Sequence, residues 1–383
     1  MTIFSRKRAR LQLASAMVLL SPVLVGCGDA PSDTPSASPS PTGSTSPATP
    51  PATPAPTPAP APASLDLDGL ERGDDPGIPY AVDLDAPFLD GDYRVVLPGG
   101  DPQGFPLPRG SIGEFAVTGE AVVLLRRTEG GVVALVSDLA GTVLEEEMFL
   151  ASHSVLVSRD RTVAGWLRDD GTVHTLDSDG THAVDLSGIT PGAEAVLVRK
   201  ADTSPSCQEE VPEGGGCIVY ANRPDGGVDY TTSHGISERV TGLRSLADVD
   251  DRGRLLGRLS RDPGCWGLLR PTGREVWRTC EHRLDSFSPD ARHVLGIPGN
   301  VRFEEVRGLV VHDRRGTVVT SYDVPRGTSV SGVEWEDDEH LLAVVRRRDR
   351  TAIVRVGLDG SVELATDVGP APSDASGYAL EVR

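Results

Sequence analysis

The sequence has no apolar run long enough to cross a bilayer as a permanent helix. The longest run, residues 11–25, is interrupted by Gln12, Ser15, Ser21 and Pro22. It is shorter than the roughly 20 apolar residues that a membrane-spanning helix needs. We therefore expect no lasting transmembrane helix.

Recognisable catalytic motifs are also absent. The chain has no Gly-x-Ser-x-Gly nucleophile elbow, no His-Glu-x-x-His zinc motif, no phosphate loop and no calcium loop. Residues 327–331 contain a serine but lack the glycine that would close an elbow. We therefore predict no catalytic residue, no metal site and no cofactor. An enzyme whose residues converge from distant segments remains the alternative, because such a site leaves no local motif.

Positive charge is scarce. Lys and Arg number 37 against 56 Asp and Glu, which gives a formal net charge of −19. A surface of this sign repels nucleic acids and anionic lipid headgroups. Nucleic acid is therefore excluded as a partner recognised through charge.

The first 26 residues have the layout of an export signal. Four bases and no acid occupy the first ten positions, and the apolar run follows directly. The run ends in Leu24-Val25-Gly26-Cys27, which resembles the lipobox of bacterial lipoproteins. The resemblance implies cleavage before Cys27, which would change the formal charge to −23, and lipidation of the Cys27 sulfur, where two or more acyl chains give stable anchoring. We expect residues 1–26 to be a lipoprotein signal peptide and the chain to lie at the outer face of the bacterial cell membrane; an ordinary signal peptide is the alternative.

Residues 27–64 are predicted to be the lipidated cysteine and a disordered linker. From Asp29 to Ser64 the chain is nearly all Pro, Ala, Ser and Thr, without apolar periodicity. Such a segment cannot bury enough surface to offset its ordering entropy. In extended polyproline geometry its 36 residues would reach on the order of 100 Å.

Residues 65–383 predict an all-β domain. Short apolar runs such as 132–136, 341–345 and 353–356 are bounded by Gly, Asp and Pro, which is typical of strands. Glycines of the hairpin type recur at intervals of 50, 39, 46, 47, 43 and 44 residues. They are Gly91, Gly141, Gly180, Gly226, Gly273, Gly316 and Gly360. Seven such turns predict seven structural repeats.

A second signature alternates with the glycine turns: an apolar residue, a polar turn and a new apolar strand. It occurs at residues 115–123, 157–164, 249–256, 287–295 and 335–343. The version at 287–295, Phe-Ser-Pro-Asp-Ala-Arg-His-Val-Leu, resembles the repeat of TolB-like propellers, which are related to WD-type repeats. The resemblance implies a seven-bladed β-propeller of four-stranded blades, in which strand 378–382 would complete the blade around Gly91. Six or eight blades and a β-sandwich are the alternatives.

Four cysteines follow Cys27, an even number that suggests disulfides in an exported domain. If Thr272 and Gly273 form a two-residue turn, the strand register places Cys265 opposite Cys280, within disulfide range. Cys207 and Cys217 then remain for each other. Zinc binding is the alternative, although the close Cys-x-x-Cys pairs that it requires are absent.

Several conspicuous side chains have ordinary structural explanations. We expect the acidic stretches 248–251 and 334–339 to be solvated turn residues and the eight histidines to lie at the surface. Trp166, Trp266, Trp277 and Trp335 should pack between strands, with Trp266 and Trp277 on the face opposite the cysteines.

These features together favour a non-catalytic binding or scaffolding module at the cell surface. Its partners would be the membrane, through the lipid, and an envelope protein, peptide or glycan; we expect a monomer. An envelope hydrolase or lyase acting on glycan or peptide is the alternative function.

Overall fold

Short strands, without any helix, make up the part of the chain that the structure describes. The structure is a computed structural model that describes residues 62–83, 93–100, 103–104, 112–119, 121–128, 131–148, 154–168, 170–177, 180–184, 194–199, 217–232, 237–299, 306–371 and 377–382. None of these residues belongs to a helix long and apolar enough to cross a membrane. The predicted all-β class is confirmed.

The strands form seven sheets, which we number as blades 1 to 7 in chain order. Blade 1 contains β2 (Tyr80–Asp83), β3 (Tyr93–Val96), β4 (Gln103–Gly104) and the last strand, β30 (Tyr378–Leu380). Blade 2 contains β5 (Ile112–Thr118), β6 (Ala121–Thr128), β7 (Gly131–Asp138) and β8 (Val143–Met148). Blade 3 contains β9 (Leu156–Val157), β10 (Ala164–Leu167), β11 (Val173–Asp177) and β12 (Gly180–Val184). Blade 4 contains β13 (Glu194–Arg199), β14 (Cys217–Asn222), β15 (Val228–Thr232) and β16 (Ser237–Val240).

The remaining blades follow the same antiparallel order. Blade 5 contains β17 (Leu243–Val249), β18 (Leu255–Leu259), β19 (Trp266–Leu269) and β20 (Glu275–Thr279). Blade 6 contains β21 (His282–Phe287), β22 (His293–Pro298), β23 (Gly308–Asp313) and β24 (Val318–Asp323), with β1 (Ala63–Ser64) on its outer edge. Blade 7 contains β25 (Thr328–Trp335), β26 (His340–Arg347), β27 (Arg350–Gly357) and β28 (Val362–Leu364), with β29 (Gly369–Pro370) paired to β27.

The two ends of the domain close the ring. In blade 1, β30 pairs antiparallel with β2, so that Leu380 lies opposite Tyr80 and Tyr378 opposite Val82. A strand from the end of the chain thus completes a sheet that begins near residue 80, as predicted. The chain is a seven-bladed β-propeller.

The hydrophobic core lies between neighbouring blades, because each sheet packs on both faces. In blade 5, Cys265 belongs to a cluster shared with Val228 and Val240 of blade 4. On the opposite face Leu268, Trp266 and Trp277 pack with blade 6. The two tryptophans therefore share the face opposite the cysteines, as predicted.

The recurring glycine turns do not all occupy the same hairpin. Most of them connect the third and fourth strands of a blade, namely Gly141, Gly180, Gly273, Gly316 and Gly360. Gly226 instead connects the second and third strands of blade 4, and Gly91 lies outside the described residues, between β2 and β3. Six of the seven predicted glycines therefore lie at hairpins, one in each of blades 2 to 7, while the position of the hairpin within the blade varies.

Residues 62–78, which we call the N-terminal strap, run along blades 6 and 7 before blade 1 begins. Ala63 and Ser64, the last two residues of the predicted linker, form β1 and pair in parallel with β24. Leu65 and Leu67 are buried in the cluster between blades 6 and 7. Further along, the Gly73 N–H donates to the Leu364 carbonyl of β28 at 2.9 Å. The strap therefore adds a strand and core side chains to a ring that is already closed.

Candidate ligand site at the channel mouth

A cavity of about 920 Å³ opens at one end of the central channel. It lies on the side where the turns between first and second strands meet, since it is lined by Ser158, Arg159, Arg161, Pro289 and residues 336–338. Each blade contributes residues on or beside its innermost strand. One such residue from each of blades 1 to 7, in that order, is Val382, Glu114, Leu156, Ala195, Asp248, Asp285 and Glu334. No motif in the sequence indicates this cavity.

The cavity wall is predominantly acidic. Its carboxylates are Glu114, Asp248, Asp285, Glu334, Glu336, Asp337 and Asp338, and its cations are Arg159, Arg161 and Arg283. The expectation that stretches 248–251 and 334–339 are solvated turn residues holds for Asp251 and residues 337–339, which are exposed. It is wrong for Asp248, whose carboxylate lies in the channel, and for Glu336, whose side chain is 7% exposed. It is also wrong for Asp250, which is 1% exposed and forms an ion pair with Arg254 at 2.5 Å.

Three of the seven carboxylates, Glu114, Asp248 and Asp338, accept a backbone N–H of a neighbouring blade. Glu114 of blade 2 accepts the Val155 N–H beside blade 3 at 2.8 Å, and Asp338 accepts the Asp290 N–H of blade 6 at 2.8 Å. Glu336 of blade 7 accepts the Gly77 N–H from the strap that leads into blade 1. A carboxylate that accepts backbone N–H groups is held in one place by charge-assisted hydrogen bonds. These side chains therefore act as clamps between blades.

Two further clamps complete the pattern at other interfaces. The Asn222 side chain of blade 4 donates to the Leu246 carbonyl at 2.9 Å and accepts the Leu246 N–H at 2.7 Å. Glu381, which follows β30, accepts the Val117 N–H of blade 2 at 2.7 Å. Glu381 is fully buried and also lies 2.7 Å from the Arg161 guanidinium of blade 3.

Asp248 is a lining carboxyl group whose pKa is strongly shifted by burial. One oxygen accepts the Val249 N–H at 2.7 Å, and the other accepts the Phe287 N–H of blade 6 at 2.8 Å. The side chain lines the cavity but lies deep in the channel. Because it is buried there, its pKa is raised to about 6. The positive charge of Arg159 opposes this shift. Asp248 is therefore partly protonated in mildly acidic solution.

Arg159 crosses the channel mouth from blade 3 to blades 5 and 6. Its guanidinium donates to the carbonyls of Val249 at 3.4 Å, Pro289 at 3.2 Å and Ser288. The guanidinium carbon also lies 5.6 Å from the centre of the Phe287 ring, a cation–π distance. Arg159 thus fills part of the mouth and ties three blades together.

The turn that carries Arg159 explains the repeated polar signature. The Ser158 hydroxyl donates to Asp160 at 2.7 Å and accepts the Val163 N–H at 2.9 Å, and the residue after Asp160, Arg161, has a φ of 58°. In blade 6, Ser288 makes the same two contacts with Asp290 and His293, and Ala291 has a φ of 54°. The Ser-x-Asp sequence therefore builds a closed turn at the channel mouth.

Cysteines 265 and 280 form a disulfide, with Cα atoms 4.0 Å apart. The turn itself differs from the prediction, because the Gly273 N–H donates to the Arg270 carbonyl and the loop holds three residues. A register shift between Leu268 and Leu269 compensates for the extra residue and restores the predicted pairing. Cys217 is also disulfide-bonded.

The other predicted positions fall outside the described residues or offer no metal ligand. Cys27 and Cys207 lie outside the described residues. The one metal-like grouping found among described residues joins Asp262 to Cys265 and Cys280, whose sulfurs are already bonded to each other. This grouping therefore has no thiolate to give to zinc.

The expectation that the histidines lie at the surface is wrong for His174 and His312. They are 9% and 2% exposed, and their rings lie 5.5 Å from Trp166 and 5.4 Å from Trp277. Burial lowers the pKa of His312 and favours its neutral form. No histidine is among the residues that line the cavity in the described part of the chain.

No family model matches the chain, and no curated protein is similar to it in sequence. The C-terminal WD40 domain of Sif2 is 12% identical with a TM-score of 0.47, over 77% of this chain and 88% of that one. TolB from Acinetobacter baumannii is 14% identical with a TM-score of 0.40, over 79% and 66% of the two chains. A prolyl endopeptidase is 14% identical with a TM-score of 0.49; the match covers 78% of this chain and about half, 51%, of the endopeptidase. The fold assignment rests on the sheet topology, and these likenesses assign no activity.

Proposed function

We propose that the chain is a lipoprotein of the outer face of the bacterial membrane, anchored through Cys27, whose propeller is a non-catalytic binding module. Its ligand would carry a cationic group, such as a basic side chain of an envelope peptide, and would bind at the channel mouth. The anchoring part of the proposal is supported by Leu24-Val25-Gly26-Cys27 after the basic, then apolar, N-terminus.

The binding role is supported mainly by the hydrogen bonds that hold the channel carboxylates in place. Glu114, Asp248 and Asp338 all accept backbone N–H groups from a neighbouring blade. General acid–base catalysis requires a carboxyl group that can reach a substrate proton. Groups engaged as clamps supply a fixed shape and a negative potential, which suit recognition.

The preference for a cationic ligand follows from the charge and size of the cavity. Seven carboxylates face three arginines in its wall, and such an excess of negative charge concentrates cations. The volume of about 920 Å³ is within the range of ligand pockets, roughly 300–1,000 Å³. Trp266 adds aromatic surface that favours cations, whereas the Phe287 ring is already in contact with Arg159 and Arg254.

One observation favours the alternative, an envelope hydrolase or lyase. The raised pKa of Asp248, about 6, is typical of a group tuned for proton transfer, and the side chain faces the cavity. Both of its oxygens, however, accept backbone N–H groups. This geometry favours the structural explanation.

Calorimetry on the detergent-solubilised full chain tests the proposal with four peptides, Gly-Phe-X-Phe-Gly, in which X is Arg, Lys, citrulline or Glu. The Arg and Lys peptides should bind at least roughly tenfold more tightly than the citrulline and Glu peptides, a difference of about 1.4 kcal/mol. Asp285→Asn should weaken binding, because it removes a wall charge. Asp225→Asn, in an outer turn of blade 4, is the control.

Two results would count against a binding module. Equal affinity for all four peptides would contradict cation recognition. Turnover of wall peptides or glycans that Asp248→Asn abolishes would establish the enzyme alternative.

A further inference from the structure

A second cavity, of about 380 Å³, lies on the face of the propeller opposite the channel mouth. Its six lining residues are Arg307, Gly327, Thr328, Ser329, Arg346 and Arg348. They come from the β22–β23 and β24–β25 connections and from the β26–β27 turn. In antiparallel blades these connections lie at the opposite strand ends from the turns at the channel mouth. The cavity therefore sits between blades 6 and 7 on the other face.

The charge of this cavity is opposite to that of the chain. Of the residues that the structure describes, three arginines and no carboxylate line it, although the net charge of the chain is −19. Arg307 and Arg348 are exposed and form no ion pair with any other residue that the structure describes. Their neighbours differ, because Arg347 and Arg350 are neutralised by Asp66 and Asp68 of the N-terminal strap. The strap thus leaves two guanidinium groups available at the cavity.

Thr328 provides a second, independent indication of a ligand. It is 3% exposed, and its Oγ1 has no hydrogen-bond partner within the described residues. A buried hydroxyl without a partner costs about 1–3 kcal/mol. Because Thr328 lines the cavity, a ligand oxygen placed there would accept its proton. The space above Gly327 is also open, since a Cβ built there meets no atom within 4 Å.

We propose that this cavity binds a phosphate group, as a phosphomonoester or a phosphodiester. Guanidinium groups bind phosphate through paired, charge-assisted hydrogen bonds. Arg307 and Arg348 supply the charge, and the hydroxyls of Thr328 and Ser329 supply further donors. The net charge of the chain, −19, disfavours long polyanions such as nucleic acids. The site is therefore suited to one phosphate group, carried either by a soluble or polymeric ester or by a lipid headgroup.

Calorimetry on the detergent-solubilised full chain, at constant ionic strength, tests the site with inorganic phosphate, glycerol 3-phosphate and dihexanoyl phosphatidylglycerol. Wild-type protein should bind at least one of the two esters, and chloride at the same ionic strength should not displace it. The double variant Arg307→Gln, Arg348→Gln should weaken binding at least roughly tenfold, that is by 1.4 kcal/mol or more. Arg278→Gln, on exposed β20, is the matched control and should leave affinity unchanged.

Thr328→Val separates binding from folding. Because the buried Thr328 hydroxyl has no partner within the described residues, the valine variant should raise, and must not lower, the melting temperature of the ligand-free chain. It should nevertheless weaken phosphate binding several-fold. Tighter binding of the diacyl lipid than of glycerol 3-phosphate would indicate that the phosphate group belongs to a lipid headgroup. Tighter binding of glycerol 3-phosphate would indicate a soluble or polymeric ester. The proposal is overturned if no probe binds, or if the arginine double variant binds as well as the wild type.

Discussion

Glu381 ends the ring-closing strand, and its replacement by alanine tests how the ring is held. The carboxylate accepts the Val117 N–H of blade 2 at 2.7 Å and lies 2.7 Å from the Arg161 guanidinium of blade 3, without the alignment of a hydrogen bond. It is fully buried, whereas the Arg161 side chain is 26% exposed. One side chain therefore joins three blades where the two ends of the domain meet.

The expected loss of stability has two parts. Orphaning the Val117 N–H costs about 1–3 kcal/mol. The ion pair contributes at most about 1 kcal/mol, because Arg161 can reach water. Glu381→Ala should therefore lower the free energy of unfolding by about 1–4 kcal/mol, while Glu381→Gln, which keeps an acceptor oxygen, should lose less.

Urea unfolding followed by tryptophan fluorescence measures these changes, beside Arg161→Ala and the double variant. Because the two side chains interact, the double variant should lose less stability than the sum of the single variants. Glu275→Ala is the control, because Glu275 is 45% exposed and its nearest Arg278 nitrogen is 3.8 Å away. A Glu381→Ala loss no larger than that of the control would refute the closure argument.

Three further predictions follow from single residues. Burial raises the pKa of Asp248 from 3.8 to about 6, so the folded state binds its proton more tightly than the unfolded state does. This group's contribution to the free energy of unfolding therefore falls as pH rises between those values. Between pH 4.5 and 7, urea unfolding should show a smaller fall in this free energy for Asp248→Asn than for the wild type, and equal falls would contradict the shift. Cys265 and Cys280 are separated by 15 residues, so replacing both with alanine should cost up to about 3 kcal/mol, and a melting temperature unaffected by reductant would contradict the bond. Cys27→Ser should release the protein from membranes or stop its maturation, and unchanged detergent partitioning would speak against lipidation.

The sequence allowed the blade count to be predicted because every repeat has a glycine hairpin, whichever pair of strands it joins. Gly273 connects the third and fourth strands of its blade, while Gly226 connects the second and third. The spacing of such turns measures the length of a repeat and does not identify the hairpin. Closure by β30 was also predictable, because a lone terminal strand lacks local partners.

The channel mouth was not predictable from local patterns, because its contacts join distant residues. Arg159 and Ser288 are 129 residues apart, and Asp248 and Phe287 are 39 apart. One sequence signal was nevertheless available. An acidic residue directly precedes the apolar residue of several inner turns, in the pairs Glu114-Phe115, Asp248-Val249, Glu334-Trp335 and Glu381-Val382. A carboxylate recurring at the same place in a repeat indicates a shared position in the ring.

The histidines show a different limit of sequence reasoning. His174 and His312 are polar residues in strands that also carry apolar ones, and composition alone favours exposure. Each instead packs, with its ring tilted by 33° or 34°, against a tryptophan of its own or the adjacent blade. A neutral imidazole packs like other aromatic rings, so burial depends on a partner that only the fold supplies.

The N-terminal strap has a mechanical consequence. Tension applied to the chain before Ala63 first meets β1, which pairs in parallel with β24, and then the buried side chains of Leu65 and Leu67. A pull along the axis of a paired strand loads its hydrogen bonds together, by shear, whereas a pull across the strands would open them one at a time. The strap would therefore bear a load before Tyr80 and the ring-closing pairing of β2 with β30 are reached. A domain tethered in this way could bear force applied through its N-terminal segment without its ring being opened.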